Sequence, residues 1–86
     1  MAERFTKKQG QYLAFIYNYS VIFGQPPAEA DLRRFFQTSP PTIHQMLLTL
    51  AEKQLVSRTP GQARSIQLLV DPQEIPRLER PQIGKG

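Results

Sequence analysis

Cysteine and tryptophan are absent from this 86-residue chain, histidine occurs once, and the seven carboxylates are scattered along it. Without cysteine, neither disulfide bonds nor thiolate metal sites can stabilise the fold. A single histidine and dispersed carboxylates do not make the ligand cluster that a metal requires, so we predict no metal site and no cofactor. The packing of a small apolar core must therefore hold the domain together.

Long apolar segments and a secretory leader are missing as well. No stretch approaches the roughly 20 apolar residues of a membrane helix, and the first residues lack the pattern of a signal peptide. We therefore expect one soluble, cytoplasmic domain with no membrane partner. The chain also has no nucleophile near a base, no carboxylate pair and no phosphate-binding loop at a usable spacing, so we do not expect an enzyme.

The positive charge of the chain is concentrated in its middle. Eleven lysines and arginines against seven acidic residues give a net charge of +4. Residues 1–32 and 71–86 are each neutral, so the whole excess falls within residues 33–64. A basic segment suits a surface that faces phosphate groups. A small excess is also common as solubility charge, and charge alone does not separate the two interpretations.

Two helices are predicted in the first 36 residues. Thr6 and Gln9 form a capping box, and Gly24 before two prolines ends the first helix at about residue 23. A second helix is predicted over about residues 29–36, where Leu32, Phe35 and Phe36 should be buried. The side of the first helix that should face the core carries an apolar stripe at helical spacing: Tyr12, Leu13, Ile16, Tyr19 and Phe23, widened by Phe15 and Ile22.

A third helix, over residues 39–54, has two chemically different sides. Ser39 is a strong N-cap, and Pro40 is well tolerated at the first helical position. The side that should face the core carries Ile43, Met46, Leu47 and Leu50. The other side carries polar groups that can pair with base edges in a DNA major groove: Thr42, His44, Gln45, Thr49 and Lys53.

Two short strands should follow, over residues 55–59 and 65–70, with a turn at Pro60 and Gly61. Arg58 and Arg64 have no acidic neighbour within this hairpin, so we expect both to contact phosphates. The element order predicts a mainly α domain with a small β hairpin, a winged helix-turn-helix of order α-α-α-β-β over residues 1–70. Residues 71–86, rich in proline and glycine, should form an extended or disordered tail.

Five segments of the chain match a known family in order and spacing. They are Phe5 to Gln9, Gly24 to Pro27, Ser39 to Leu50, Leu55 with Val56, and Arg64 to Ile66. This pattern resembles the N-terminal DNA-binding domain of the LexA repressor family over about residues 5–70. The resemblance implies a three-helix domain with a two-stranded wing that binds double-stranded DNA as a dimer, with its third helix in the major groove.

The resemblance also implies roles for individual residues. Position by position, it puts these side chains at or near bases and phosphates: Ser39, Pro41, Thr42, His44 and Gln45, with Gln62, Ala63 and Arg64 on the wing. We therefore predict a sequence-specific transcriptional repressor associated with the bacterial nucleoid, with a homodimer on a palindromic site as the expected assembly. The chain departs from the family where Gln37 and Gln54 replace the usual glycines and Arg33 replaces a small packing residue.

The resemblance ends before the self-cleaving second domain of the full repressors, so we expect no autoproteolysis from this chain. The chain is either part of a longer protein or a freestanding small one, and residues 77–86 favour the freestanding alternative. Another function stays open, a protein-protein interaction adaptor with weak nonspecific DNA binding. Its contact patch would contain Leu48, Gln54 and Leu55.

Overall fold

The computed structural model describes residues 4–81 and has the predicted order of elements. The helices are α1 (Lys7–Phe23), α2 (Glu29–Phe36) and α3 (Pro40–Glu52), and the strands are β1 (Val56–Ser57) and β2 (Gln67–Leu68). The two strands are antiparallel and pair Val56 with Leu68 and Ser57 with Gln67. The predicted class, mainly helical with a small hairpin in winged helix-turn-helix order, is confirmed.

Both strands are shorter than the predicted ranges of residues 55–59 and 65–70. The Leu69 N–H still donates to the Leu55 carbonyl at 2.9 Å on one side of the ladder. On the other side, the Thr59 N–H donates to the Ser65 hydroxyl at 2.9 Å and not to a backbone carbonyl. The regular ladder therefore ends at Ser57, because a side chain takes over the hydrogen bonding of the loop.

The predicted helix ends are confirmed in atomic detail. The Thr6 hydroxyl accepts from the Gln9 N–H at 3.1 Å, and the Gln9 side chain accepts from the Thr6 N–H at 3.0 Å. Gly24 ends α1 with a φ of 72°, in the left-handed region. Ser39 caps α3 by accepting from the Thr42 N–H. These local bonds satisfy backbone donors and carbonyls that a helix leaves open at its ends.

The core lies between the three helices and the hairpin. Tyr12 is fully buried, and its ring stacks on Phe36 of α2 with the ring centroids 4.0 Å apart. The other large side chains of the core are almost completely buried: Leu13, Ile16, Leu32, Ile43, Leu47, Leu50, Leu55, Val56, Ile66 and Val70. Every helix and both sides of the hairpin contribute, so the hairpin is supported by the helices.

The predicted stripe on α1 is only partly buried. Tyr19 is half-buried, whereas Ile22 is 70% exposed and Phe23 is 61% exposed. The elements that cover Tyr12 and Ile16 do not extend over the last turn of α1. The expectation that Ile22 and Phe23 belong to the core is therefore wrong, because helical spacing defines the side of a helix but not the length that is covered.

Residues 71–81, named the strap below, follow the hairpin and lie along the N-terminal half of α1. The Gln11 side-chain amide holds the second half of the strap, since it donates to the Arg77 carbonyl at 2.9 Å and accepts from the Glu79 N–H at 2.7 Å. Arg4 pairs with Glu74 at 3.2 Å. The strap is extended apart from a 3-10 turn at Pro72–Glu74.

Residues 1–3 of the predicted winged domain and residues 82–86 of the predicted tail lie outside the residues that the structure describes. Between residues 4 and 81, none of the helices combines the length and hydrophobicity needed to cross a membrane.

Candidate nucleic-acid interface

The second and third helices form a helix-turn-helix. Residues 37–39 connect α2 to α3, and Gln37 ends α2 in the left-handed region with a φ of 52°. Ile43, Leu47 and Leu50 are fully buried and fix the inner side of α3 to the core. The opposite side of α3 therefore points outward, as a reading helix requires.

The outer side of α3 presents most of the predicted site residues together. Thr49 is half-buried. The site residues that are exposed on this side are Ser39, Pro41, Thr42, His44 and Gln45. The hydroxyl oxygens of Ser39 and Thr42 are 2.9 Å apart and share a hydrogen bond, so two of these groups are held in place before any ligand binds. No lysine, arginine or carboxylate lies between Ser39 and Glu52 at the end of the helix.

Lys53, also predicted to bind DNA, has a second role. Its ammonium group donates to the Gln9 side chain at 2.8 Å and so connects the end of α3 to the first turn of α1. Gln9 also completes the cap of α1. The sequence analysis missed this contact, because 44 residues separate the two positions and no local pattern links them.

The hairpin ends in a compact loop. The Gln62 N–H donates to the Thr59 carbonyl at 3.1 Å, and Gly61 has a φ of 79°. Proline followed by a glycine of positive φ is the sequence of a type II turn. Gln62 and Ala63, predicted to lie on the wing, are exposed at this loop.

The hairpin itself offers its arginines no acidic partner, as the sequence indicates, but α2 supplies one to each. Arg58 pairs with Glu29 at 3.3 Å, and Arg64 pairs with Asp31 at 3.2 Å. The Arg64 guanidinium also donates to the Tyr19 hydroxyl at 3.0 Å and to the Pro26 carbonyl at 3.1 Å. The two arginines therefore fasten the hairpin to the start of α2.

These two side chains differ in how much of them stays accessible. The side chain of Arg58 is 14% exposed and that of Arg64 is 37% exposed. A guanidinium carries five N–H donors, and one terminal nitrogen of Arg64 makes all three of its hydrogen bonds. Arg64 therefore keeps donors for an external acceptor, whereas Arg58 is largely covered.

Asp31 is the centre of this network. Burial acts to raise the pKa of Asp31, but the hydrogen bond from the Ala28 N–H, the charge of Arg64, the hydrogen bond with Tyr19 and the charge of Arg34 together outweigh burial. The pKa of Asp31 therefore lies below its usual value. The Ala28 N–H donates to this carboxylate at 2.8 Å at the start of α2. Asp31 is therefore charged at neutral pH and serves both the helix start and the hairpin.

The contact patch expected of an adaptor is not formed as predicted. Leu55 is fully buried, so it cannot join Leu48 and Gln54 in the contact patch expected of an adaptor. Among residues 4–81, no three histidine or carboxylate side chains are grouped in a way that could hold a metal ion.

Comparisons with known proteins identify the family. The chain is 33% identical over 67 residues to the LexA repressor of Thermosipho melanesiensis, 31% over 71 residues to that of Bartonella quintana and 30% over 81 residues to that of Thermosipho africanus. These matches cover 78%, 81% and 94% of this chain but only 34%, 30% and 41% of the relatives. The model of the LexA DNA binding domain family matches residues 2–65, and the chain therefore belongs to that family.

Proposed function

We propose that this domain binds double-stranded DNA at specific sequences and represses transcription. The observation that carries the proposal is the polar outer side of α3, which is rigidly backed by Ile43, Leu47 and Leu50. An α-helix fits the major groove, where each base pair presents a different pattern of donors and acceptors. Membership of the LexA DNA binding domain family supports the same function.

Thr42, His44 and Gln45 read base edges in this proposal. Their side chains are exposed and short or flexible, and a glutamine amide can form a paired contact with adenine. Ser39 and Pro41 lie at the start of α3, where the positive end of the helix dipole favours a phosphate. Thr49 and Lys53 extend the contact toward the other end of α3.

The wing contacts the DNA beside the major groove. Gln62, at the tip of the wing, contacts phosphates or the minor groove. The accessible N–H donors of Arg64 do the same. Arg58 has a mainly structural part, because its side chain is largely covered and pairs with Glu29. Two copies on an inverted repeat would double the contact, and the bound protein would block polymerase by steric exclusion.

Selection from a random duplex pool at physiological salt tests the proposal. We expect one preferred sequence, recovered as an inverted repeat whose half-site spacing gives the geometry of the pair. Recovery of a single half-site would contradict the paired arrangement but not sequence-specific binding. A pool that shows no enrichment while the protein binds all duplexes equally would contradict specific reading.

Gln45→Ala tests the role of α3 on the selected duplex. We expect this variant to lose about 1–3 kcal/mol of discrimination at one base pair, because a paired amide contact is removed there. Gln73→Ala is the matched control, since Gln73 is exposed on the strap and outside α3. Binding measured against single-base variants of the site gives the result, and an unchanged preference in Gln45→Ala would remove Gln45 from the reading set.

A further inference from the structure

A groove lies between the first turns of α1, the turn of the helix-turn-helix and the end of the strap. Its volume is about 560 Å³. The residues that give it its chemistry are Lys7, Lys8, Tyr12, Thr38, Glu79 and Arg80. None of them belongs to the DNA-reading surface predicted from the sequence, and we name this feature the strap groove.

The strap groove is positively charged. Lys7, Lys8 and Arg80 are exposed, and Glu79 is the one carboxylate among the lining residues. The ion pairs found among residues 4–81 use none of these four side chains. The charge of the groove is therefore available to an anion from outside.

Tyr12 supplies the second observation. Its side chain is fully buried and lines the groove, and its hydroxyl has no hydrogen-bond partner among the described residues. Buried polar groups are normally paired, so an unpaired hydroxyl on a residue that lines a cationic groove indicates a missing acceptor. Burial raises the pKa of Tyr12, so the hydroxyl keeps its proton and remains a donor at neutral pH.

The groove adjoins the surface that we propose to face DNA. Thr38 lines the groove and directly precedes Ser39, the cap of α3. The strap brings Arg80 to this place because Gln11 fixes the backbone of Arg77 and Glu79 on α1. A phosphate that flanks the start of α3 would therefore meet a cationic site.

We propose that the strap groove binds a backbone phosphate of the DNA through Lys7, Lys8, Arg80 and the Tyr12 hydroxyl. This inference rests on the proposed DNA binding and adds a contact made by residues outside the helix-turn-helix and the wing. The contact is independent of sequence, because it involves the phosphate and not the base.

Arg80→Ala tests the proposal, with Arg77→Ala as its matched control. Arg77 is an exposed arginine on the same strap that lies outside the strap groove. In full-chain binding to one duplex across a salt titration, we expect Arg80→Ala to reduce the slope of log K against log salt by about 0.9, the value of one phosphate contact. Arg77→Ala should keep the wild-type slope, and equal slopes in the two variants would overturn the proposal.

Tyr12→Phe separates binding from stability. We expect it to weaken duplex affinity roughly tenfold by removing a donor to a charged acceptor. We expect its Tm to stay at or above the wild-type value, because the lost hydroxyl had no partner in the free protein. Wild-type affinity in a folded Tyr12→Phe protein would overturn the role of the hydroxyl.

A third measurement distinguishes failure of the groove from failure of the proposed function. If the wild-type chain binds no duplex, inorganic phosphate is titrated into the protein and followed by NMR. Saturable shifts at Tyr12 and Lys8 that disappear in Arg80→Ala would uphold an anion site without DNA. Absence of such shifts would overturn the site itself.

Discussion

Two glutamines occupy backbone conformations that usually belong to glycine. Gln37 after α2 has a φ of 52° and Gln54 after α3 has a φ of 60°. The left-handed region costs a residue with a side chain roughly 1–2 kcal/mol. The family resemblance marks both positions as departures from the usual glycine, and both glutamines adopt the left-handed conformation that favours glycine.

Gln54→Gly is therefore expected to raise the free energy of unfolding by about 1 kcal/mol, because relief of strain exceeds the added freedom of the unfolded chain. Gln67→Gly is the matched control in β2, where φ is not positive, and should lower the stability. Urea unfolding of both variants measures the difference. Destabilisation by Gln54→Gly would show that the glutamine side chain makes a compensating contact.

At the scale of the element, α3 is anchored by one side and free on the other. Leu47 is fully buried, whereas its neighbour Leu48 is 37% exposed. The helical period separates them by about 100°, which is enough to move a side chain from the core to the edge of the outer surface.

Leu47→Ala should cost roughly 2–5 kcal/mol of stability, because it leaves a cavity in the core. Leu48→Ala should change the stability by no more than about 0.5 kcal/mol, as is usual at accessible positions. Denaturant unfolding of the two variants makes the comparison within one helix. Equal losses would mean that Leu48 is buried in solution by an additional contact.

The hairpin shows how one element depends on another. Its ladder is only two residue pairs long, and such a hairpin is marginal alone. Buried Val56 and Ile66 attach it to the core, and the Arg58 and Arg64 ion pairs attach its loop to α2. The wing is therefore held both by the burial of its strand side chains in the core and by ion pairs with α2.

Across the whole molecule, Asp31 joins three parts of the chain. Its carboxylate accepts from Ala28 at the start of α2 and pairs with Arg64 of the hairpin. Arg64 in turn bonds Tyr19 of α1. Because the pKa of Asp31 is lowered in the folded state, the stability it provides is fully present above the usual pKa of about 3.9. That stability is lost as the pH falls through the lower folded-state value.

Asp31→Asn should therefore have a lower free energy of unfolding than the wild type at pH 7. This gap in free energy between the two proteins should narrow as the pH falls below about 4. Urea unfolding of both proteins at several pH values between 7 and 3 measures the gap, and the comparison removes the contribution of other carboxylates. A gap that is constant across this range would mean that the network does not depend on the charge of Asp31.

The same network changes the interpretation of the charge. The basic excess lies within residues 33–64, but Arg58 and Arg64 are paired with acids that lie earlier in the chain. Counting charge along the sequence therefore overestimated the free charge of the wing. In space, unpaired positive charge also occurs at the strap groove, where residues from both ends of the chain meet.

The sequence alone determined the three helices and the residues that cap or stop them. Capping at Thr6 and Ser39, the stop at Gly24 and the two sides of α3 depend on residues within one or two helical turns, so local patterns suffice to predict them. The polar set on α3 was predictable for the same reason, since one helix presents it.

Only the tertiary structure decided which residues meet across the chain. The exposure of Phe23, the Lys53 contact with Gln9 and the Arg64 contact with Asp31 all depend on where separate elements end and cross. The strap groove likewise joins Lys8 to Arg80 at a separation of more than 70 residues. Such contacts leave no periodic signal in the sequence, because they arise from the packing of elements and not from the period of any one of them.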